Sequence, residues 1–326
     1  MQAESSIQCF DYLDHDQGNV IPLQRPLKLA IITSIRDVGR EDNNGRTIQH
    51  PDGPRYRMGV PEALTRMLTE GRHEIADLIR LVGVITDDTD RDRLGGYAQN
   101  PDRDGDWIHP RDLSLPNGEL LTSNTTNIPS EFRGIPKNAV EEKQSAKKEF
   151  EQAIARQAEE MGADIILSDH LMLRIQNMLQ GRYHLGKILN IHPAMTNPNS
   201  PYALPGKTPT ADALKKAQET GGFLTGGTFH FIDEEIDHGQ VIAEGALTSV
   251  LPTDSPSQLR SRNYPAKIAV FIEGMRHYCQ NLYPHLDRIN FTNFDPTNVL
   301  STECPDFGHL DPSFVRAAAQ RTASRL

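Results

Sequence analysis

Apolar residues fall along this chain in short runs separated by polar stretches. Leu27-Lys28-Leu29-Ala30-Ile31-Ile32-Thr33 reads as a first buried strand, and Leu78–Ile85 as a second. Asp164-Ile165-Ile166-Leu167-Ser168 and Lys187–Ile191 read as a third and a fourth. Nearly continuous apolar runs of this length suit strands covered on both faces. Between them, Pro61–Glu70 places Leu64, Met67 and Leu68 on one helical stripe, and Ala146–Met161 has helical character. Ile175–Leu179 reads as a short helix. A further helix opens at Thr208-Pro209, carries Ala211, Leu214 and Ala217 on one side, and stops at Gly221-Gly222. Gly227–Ile232 alternates, with Thr228 and His230 on one face against Phe229 and Phe231, and Val241–Glu244 supplies a partner strand. Ser255–Leu282 reads as mostly helical, with an interruption expected near Pro265.

Strands alternating with helices predict an α/β class: a doubly wound, mostly parallel sheet, with antiparallel pairing expected around residues 227–244. Residues 1–25 form a polar arm, residues 26–285 one domain, and residues 286–326 a C-terminal tail. Residues 86–137 interrupt the pattern. Asp and Arg are dense from Asp87 to Asp106, Gly and Pro are frequent, and apolar periodicity is weak, so a solvated, irregular insertion is expected. Long insertions of this kind also serve as lids or substrate loops. Trp107, the only tryptophan, can anchor the insertion to the body.

The 326 residues carry a formal net charge of −10, which disfavours a nucleic-acid partner. Cys9, Cys279 and Cys304 are far apart and odd in number, arguing against a disulfide framework. No run reaches bilayer-spanning length, and Met1–Asp16 lacks a signal-like apolar core, so the expectation is a cytoplasmic protein with no membrane partner. The histidines form no HExxH or facial cluster, so no metal is expected. Gly226-Gly227 precedes a strand rather than a helix and is no phosphate loop.

The chemistry concentrates in Asn190-Ile191-His192-Pro193, followed by Thr228-Phe229-His230 and Asp237-His238-Gly239. Asn190 and His192, two apart at a strand end, share a face, and Asp237 arrives from a turn. An amide, an imidazole and a carboxylate can together activate a carbonyl. Singly, each residue reads as a strand-end or turn residue, and their ordered occurrence shifts the weight to function. His230 reads equally as a hydrogen-bonded core histidine or a site residue. His170 beside Asp169 reads as structural. Arg36 and Arg40 can grip a substrate carboxylate, although solvated loop arginines are commoner.

The run Lys187–Pro193, then Leu204-Pro205-Gly206, Gly226–His230 and Asp233–Ile242, with Tyr264-Pro265 later, resembles the 10-formyltetrahydrofolate-dependent formyltransferase family, nearest its glycinamide ribonucleotide type. The resemblance covers Gly162 to Leu282 and implies a Rossmann-like formyltransferase fold. It implies 10-formyltetrahydrofolate as co-substrate, a small-molecule amine as acceptor, and direct transfer through a tetrahedral intermediate without a metal. Asn190, His192 and Asp237 are then the catalytic trio. Asn190 is expected to donate to the formyl oxygen; His192, if protonated, adds a charged donor, a form that Asp237 favours by raising its pKa; and Asp237 is expected to accept the amine proton, directly or through water. Leu171, Met172, Leu173, Arg174 and Ile175, with His230, Asp233, Glu234 and Glu235, enclose the folate, and Thr228 lines the same site. Ser34, Arg36, Pro205 and Gly206 face the acceptor. The stretch Thr33–Gly39 lacks the close glycines that cradle a ribose phosphate in the glycinamide ribonucleotide enzymes. That departure and the 86–137 insertion favour a different amine, of the kind used by the hydroxyornithine formyltransferases of siderophore biosynthesis. Nothing in the sequence sets the oligomeric state.

Overall fold

A computed structural model describes residues 23, 25–34, 59–70, 74–87, 89, 113–169, 171, 173–184, 186–198, 200–206, 208–287 and 300–302. The N-terminal arm apart from 23 and 25, Arg36, Arg40, Trp107, His170, Met172 and the tail beyond 287 apart from 300–302 lie outside the described residues.

Strands β1 (Leu27–Thr33), β2 (Ile79–Thr86), β3 (Thr125–Asn127), β4 (Ile165–Asp169) and β5 (Ile188–His192) pair in parallel. β6 (Phe223–Phe231) joins β5 antiparallel and β7 (Val241–Val250) joins β6 antiparallel, while β8 (Leu300–Thr302) runs parallel to β7. The sheet order is β3-β2-β1-β4-β5-β6-β7-β8. The chain builds outward from β1 to β3 and then restarts on the other side of β1 with β4. Such a reversal opens a crevice at the carboxyl ends of the strands, where ligands bind in sheets of this type.

The pleat sorts side chains onto two faces. Leu29, Ile31, Leu167, Leu189, Ile191, Phe229 and Phe231 form one core with helices α1 (Val60–Glu70) and α4 (Pro256–His277). Ala30, Ile32, Ile166 and Ile188 form a second core with helix α2 (Val140–Glu160) through Phe150, Ile154 and Ala158. Helix α3 (Pro209–Thr220) packs Ala213, Leu214 and Ala217 with Phe223 and Val250.

Four expectations change. Helix α2 begins at Val140 rather than Ala146, because its first turns lie exposed and carry no apolar stripe to betray them. The described half of the expected insertion is tied to the body: Leu113, Leu115 and Leu121 are buried in the first core, and residues 125–127 pair with β2 as the edge strand. Its anchor is the buried Asp87 at the end of β2, whose carbonyl accepts from the Ser130 amide and hydroxyl and whose carboxylate meets Arg133 at 3.2 Å. Residues 175–179 are irregular, ending in a turn at 178–179, rather than a helix.

Helix α4 does not break at Pro265. A mid-helix proline costs ~3 kcal/mol, while each fully buried large apolar side chain contributes ~1.5–3 kcal/mol. Leu259 lies before Pro265, and Ile268, Val270, Phe271, Ile272 and Met275 lie after it, all buried. A capping box between Ser255 and Gln258 starts the helix.

Gly274 of α4 lies against Phe229 of β6, where an added Cβ would sit 2.4 Å from the ring. Phe229 cannot retreat, since it is fully buried and edge-on to Phe271 at 6.1 Å between centroids. Gly274→Val should therefore destabilise the fold by ~1–3 kcal/mol through overpacking, despite better helix propensity. A denaturant midpoint equal to that of the unaltered chain would contradict this helix–sheet contact.

Candidate active site

Asn190 and His192 occupy the last turn of pleat on β5, and register sets Asn190 opposite His230 and His192 opposite Thr228 of β6. All four are on the face away from α1 and α4. The β6–β7 connection then delivers Asp237 with φ 57°. Asp tolerates this left-handed conformation better than most residues, at a cost of ~1–3 kcal/mol that the surroundings must offset. The offset is visible: the Gly206 amide donates to Asp237 Oδ2 at 2.9 Å, while Oδ1 faces Asn190, His192 and His230. Gly239 permits the turn to close, since a Cβ there would lie 1.7 Å from the Phe231 carbonyl.

Hydrogen bonding assigns the histidine tautomers. His230 Nδ1–H donates to the Phe231 carbonyl at 2.8 Å, so its Nε2 accepts from Asn190 Nδ2 at 2.9 Å. The second Asn190 N–H lies 3.5 Å from Asp237 Oδ1, a long contact that leaves it available to a better acceptor. His192 Nε2–H donates to the Leu204 carbonyl at 3.2 Å. Its Nδ1 lone pair therefore faces Asp237 Oδ1 at 3.5 Å. Two acceptors confront each other there, and a proton placed between them would be held by both.

The expected charge on His192 is corrected. Burial pushes its pKa down, Asp237 and the Leu204 carbonyl push it up, and burial wins, with Lys267 adding to the depression. His230 is depressed in the same way, first by burial. Burial thus favours the neutral form of both rings.

The other expected site residues divide. Leu171 and Ile175 are buried in the second core, where Ile232 packs beside them. Leu173 is half-buried, while Arg174, Asp233, Glu234 and Glu235 are exposed around the opening. Arg174 Nε donates to the Glu234 carbonyl, tying the two loops together. Pro205 is exposed beside Gly206. Ser34 is buried at the end of β1, two strands from Asn190, or roughly 10 Å at ordinary strand spacing. Thr228 does not line the site: its hydroxyl donates to the Ala194 carbonyl at 2.8 Å and accepts from the Thr196 amide, shaping the chain after His192.

Reading the sequence missed two parts. The Leu204 carbonyl, which sets the His192 tautomer, is a backbone atom without a residue signature. Asp169, at the end of β4, accepts from the Val60 amide at 3.0 Å and pairs with the buried Lys267 of α4. An acidic residue closing an apolar strand was the available signal. Among the described residues, no group of three His, Cys, Asp or Glu side chains could hold a metal, and no helix is long and apolar enough to cross a membrane.

Residues 126–275 match the family described as formyl transferase. The chain is similar to trifunctional purine biosynthetic protein adenosine-3 of Gallus gallus, with 29% identity over 166 residues covering 48% of this chain and 16% of that protein. It is similar to phosphoribosylglycinamide formyltransferase of Haemophilus influenzae, with 30% identity over 141 residues covering 41% of this chain and 61% of that enzyme. The chain thus spans less than two thirds of either relative. It also resembles the solved structure of PvdF of pyoverdin biosynthesis, described as a structurally unique N10-formyltetrahydrofolate-dependent formyltransferase. There the identity is 28% and the TM-score 0.64, covering 78% of this chain and 99% of that one.

Buried neutral histidines make stability depend on pH. Below about 6.5, the ordinary histidine value, the unfolded chain binds protons that folded His192, His230 and His277 refuse, so stability falls as pH falls. Burial holds His277 down at about 4, so its contribution continues to drain until that pH, by roughly 3 kcal/mol in total. Urea unfolding between pH 7 and 4 should show this loss, reduced in His277→Gln. An identical slope in that variant would contradict its buried neutral state.

Proposed function

We propose that this chain, whose residues 126–275 match the formyl transferase family, transfers a formyl group from 10-formyltetrahydrofolate to the amine of a small molecule. The observation that carries the reading is the meeting of Asn190, His192 and Asp237 within 3.5 Å contacts at the carboxyl end of β5, inside the matched segment. The donor set suits the co-substrate: one amide N–H without a short partner, and one pair of acceptors lacking a proton. When bound, 10-formyltetrahydrofolate supplies a formyl carbon on a displaceable nitrogen.

Asn190 then directs its second N–H at the formyl oxygen, where negative charge builds as the acceptor nitrogen attacks. Removing one such preorganised donor costs ~10²–10³ in rate. The His192–Asp237 pair takes the proton that the attacking amine must lose and returns it to the departing folate nitrogen. One N–C bond forms, one breaks, and the proton ends on the leaving group. His230 contributes by orientation, because its fixed tautomer holds the Asn190 amide with Nδ2 toward the site. Leu171, Leu173–Ile175 and Asp233–Glu235 enclose the folate, and Pro205 and Gly206 face the amine.

For the acceptor we favour an N5-hydroxyornithine-type amine over a purine precursor. The PvdF likeness, at 28% identity and a TM-score of 0.64 over 78% of this chain, supports that choice. The sequence Thr33–Gly39 also lacks the close glycines that suit a phosphate nest.

The test follows release of tetrahydrofolate from 10-formyltetrahydrofolate with no amine, hydroxyornithine, glycinamide ribonucleotide or amino sugars. Turnover with hydroxyornithine alone is expected. Turnover only with glycinamide ribonucleotide would overturn the acceptor, and amine-independent release would make the protein a hydrolase. Asp237→Asn should lower kcat at least ~10²-fold while leaving folate binding largely intact, since it removes the proton trap but not the wall residues. Near-normal turnover in that variant would refute the role given to the carboxylate.

A further inference from the structure

Among the described residues between β4 and β5, the 3-10 helix Gly181–Tyr183 is the only regular element, so backbone donors ahead of it need partners from elsewhere. One side chain provides them. Glu151 lies on the inner side of α2 and is fully buried. Its Oε2 accepts from three consecutive amides: Gln176 at 2.9 Å, Asn177, and Met178 at 3.2 Å. Lys147, one turn earlier, places Nζ 2.8 Å from Glu151 Oε1 and also donates to the Gln176 side chain at 3.0 Å. The carboxylate thus gathers three consecutive amides onto one point.

A buried carboxylate is a poor choice for packing alone, since an apolar residue of similar size avoids the desolvation cost. It is a good choice for holding a loop in one shape, because charge-assisted bonds are short and directional. The loop so held leads directly to the site. Leu171 and Ile175 share a core with Phe150 and Ile154 of α2, Ile232 packs against it, and Arg174 binds the Glu234 carbonyl. The rim thus runs from Glu151, through residues 171–178, to the 232–237 loop and Asp237.

We propose that Glu151, supported by Lys147, is a positioning residue for folate: it preorganises the 171–178 wall and so sets affinity for the co-substrate without touching it. This rests on the function proposed above. Glu151 touches none of Asn190, His192 or Asp237 through any of these bonds, so the chemical step should be affected less than binding.

The test uses the full chain and three readouts: direct titration with tetrahydrofolate, KM and kcat with 10-formyltetrahydrofolate, and amide exchange of residues 171–178 in the free protein. Glu151→Ala is expected to raise Kd and KM roughly tenfold, with a smaller change in kcat and faster exchange at 176–178, because the ordering cost is then met at binding. Glu151→Gln keeps one acceptor oxygen and should fall between. It also carries the comparison if the alanine variant does not fold. Wild-type affinity in either folded variant, or unchanged exchange at 176–178, overturns the proposal and leaves the functional reading standing. A wild-type chain that binds no tetrahydrofolate overturns both.

Discussion

The carboxylate of Asp237 is the point on which the site depends, because it is shared among groups that would otherwise be unrelated. It reaches that point from a turn in a left-handed conformation, and one of its oxygens is held by the Gly206 amide. The other faces the Asn190 amide and both histidines. The groups come from four elements: Asn190 and His192 from β5, His230 from β6, Asp237 itself from the β6–β7 turn, and Gly206 from the loop before α3. A displacement of any of them changes the surroundings of a charge with little water around it, where electrostatic interactions are strong.

The same desolvation decides the chemistry available. In water, a carboxylate next to an imidazole would favour the imidazolium. Here burial outweighs that attraction, and His192 stays neutral with a lone pair aimed at Asp237. Such a pair is suited to receive a proton and hand it on. The left-handed turn, two buried rings and a carboxylate are costly for stability. They persist because the antiparallel β5–β6 pairing and the buried aromatic layer beneath it fix the backbone that carries them.

The sheet separates support from chemistry. The face under α1 and α4 carries Leu189, Ile191, Phe229 and Phe231, which bury area and set register. The opposite face carries Asn190, His192, Thr228 and His230. A one-residue slip between β5 and β6 would exchange the two sets, so packing on the first face enforces placement on the second. The Asp169–Lys267 pair ties the end of β4 to α4 and to the start of α1 at the same edge of the sheet. Asp87 and Glu151 do comparable work for the edge segment and for the 171–178 wall.

Much of this was legible in the residues. Strand identity, the α/β class and the antiparallel turn near 227–244 follow from apolar runs and alternation, which depend only on neighbours along the chain. Asn190, His192 and Asp237 stood out because strand ends and turns place such residues at sheet edges. What depended on distant partners was not legible. The first turns of α2 carry no apolar stripe, Pro265 sits in a helix whose burial outweighs its cost, and the amides of residues 176–178 bond a carboxylate about two dozen positions earlier. The protonation state of His192 belongs to the same class. Sequence alone supplied the ring and its carboxylate, but only the tertiary structure determined how much water they lose, and that loss decides which of them holds the proton.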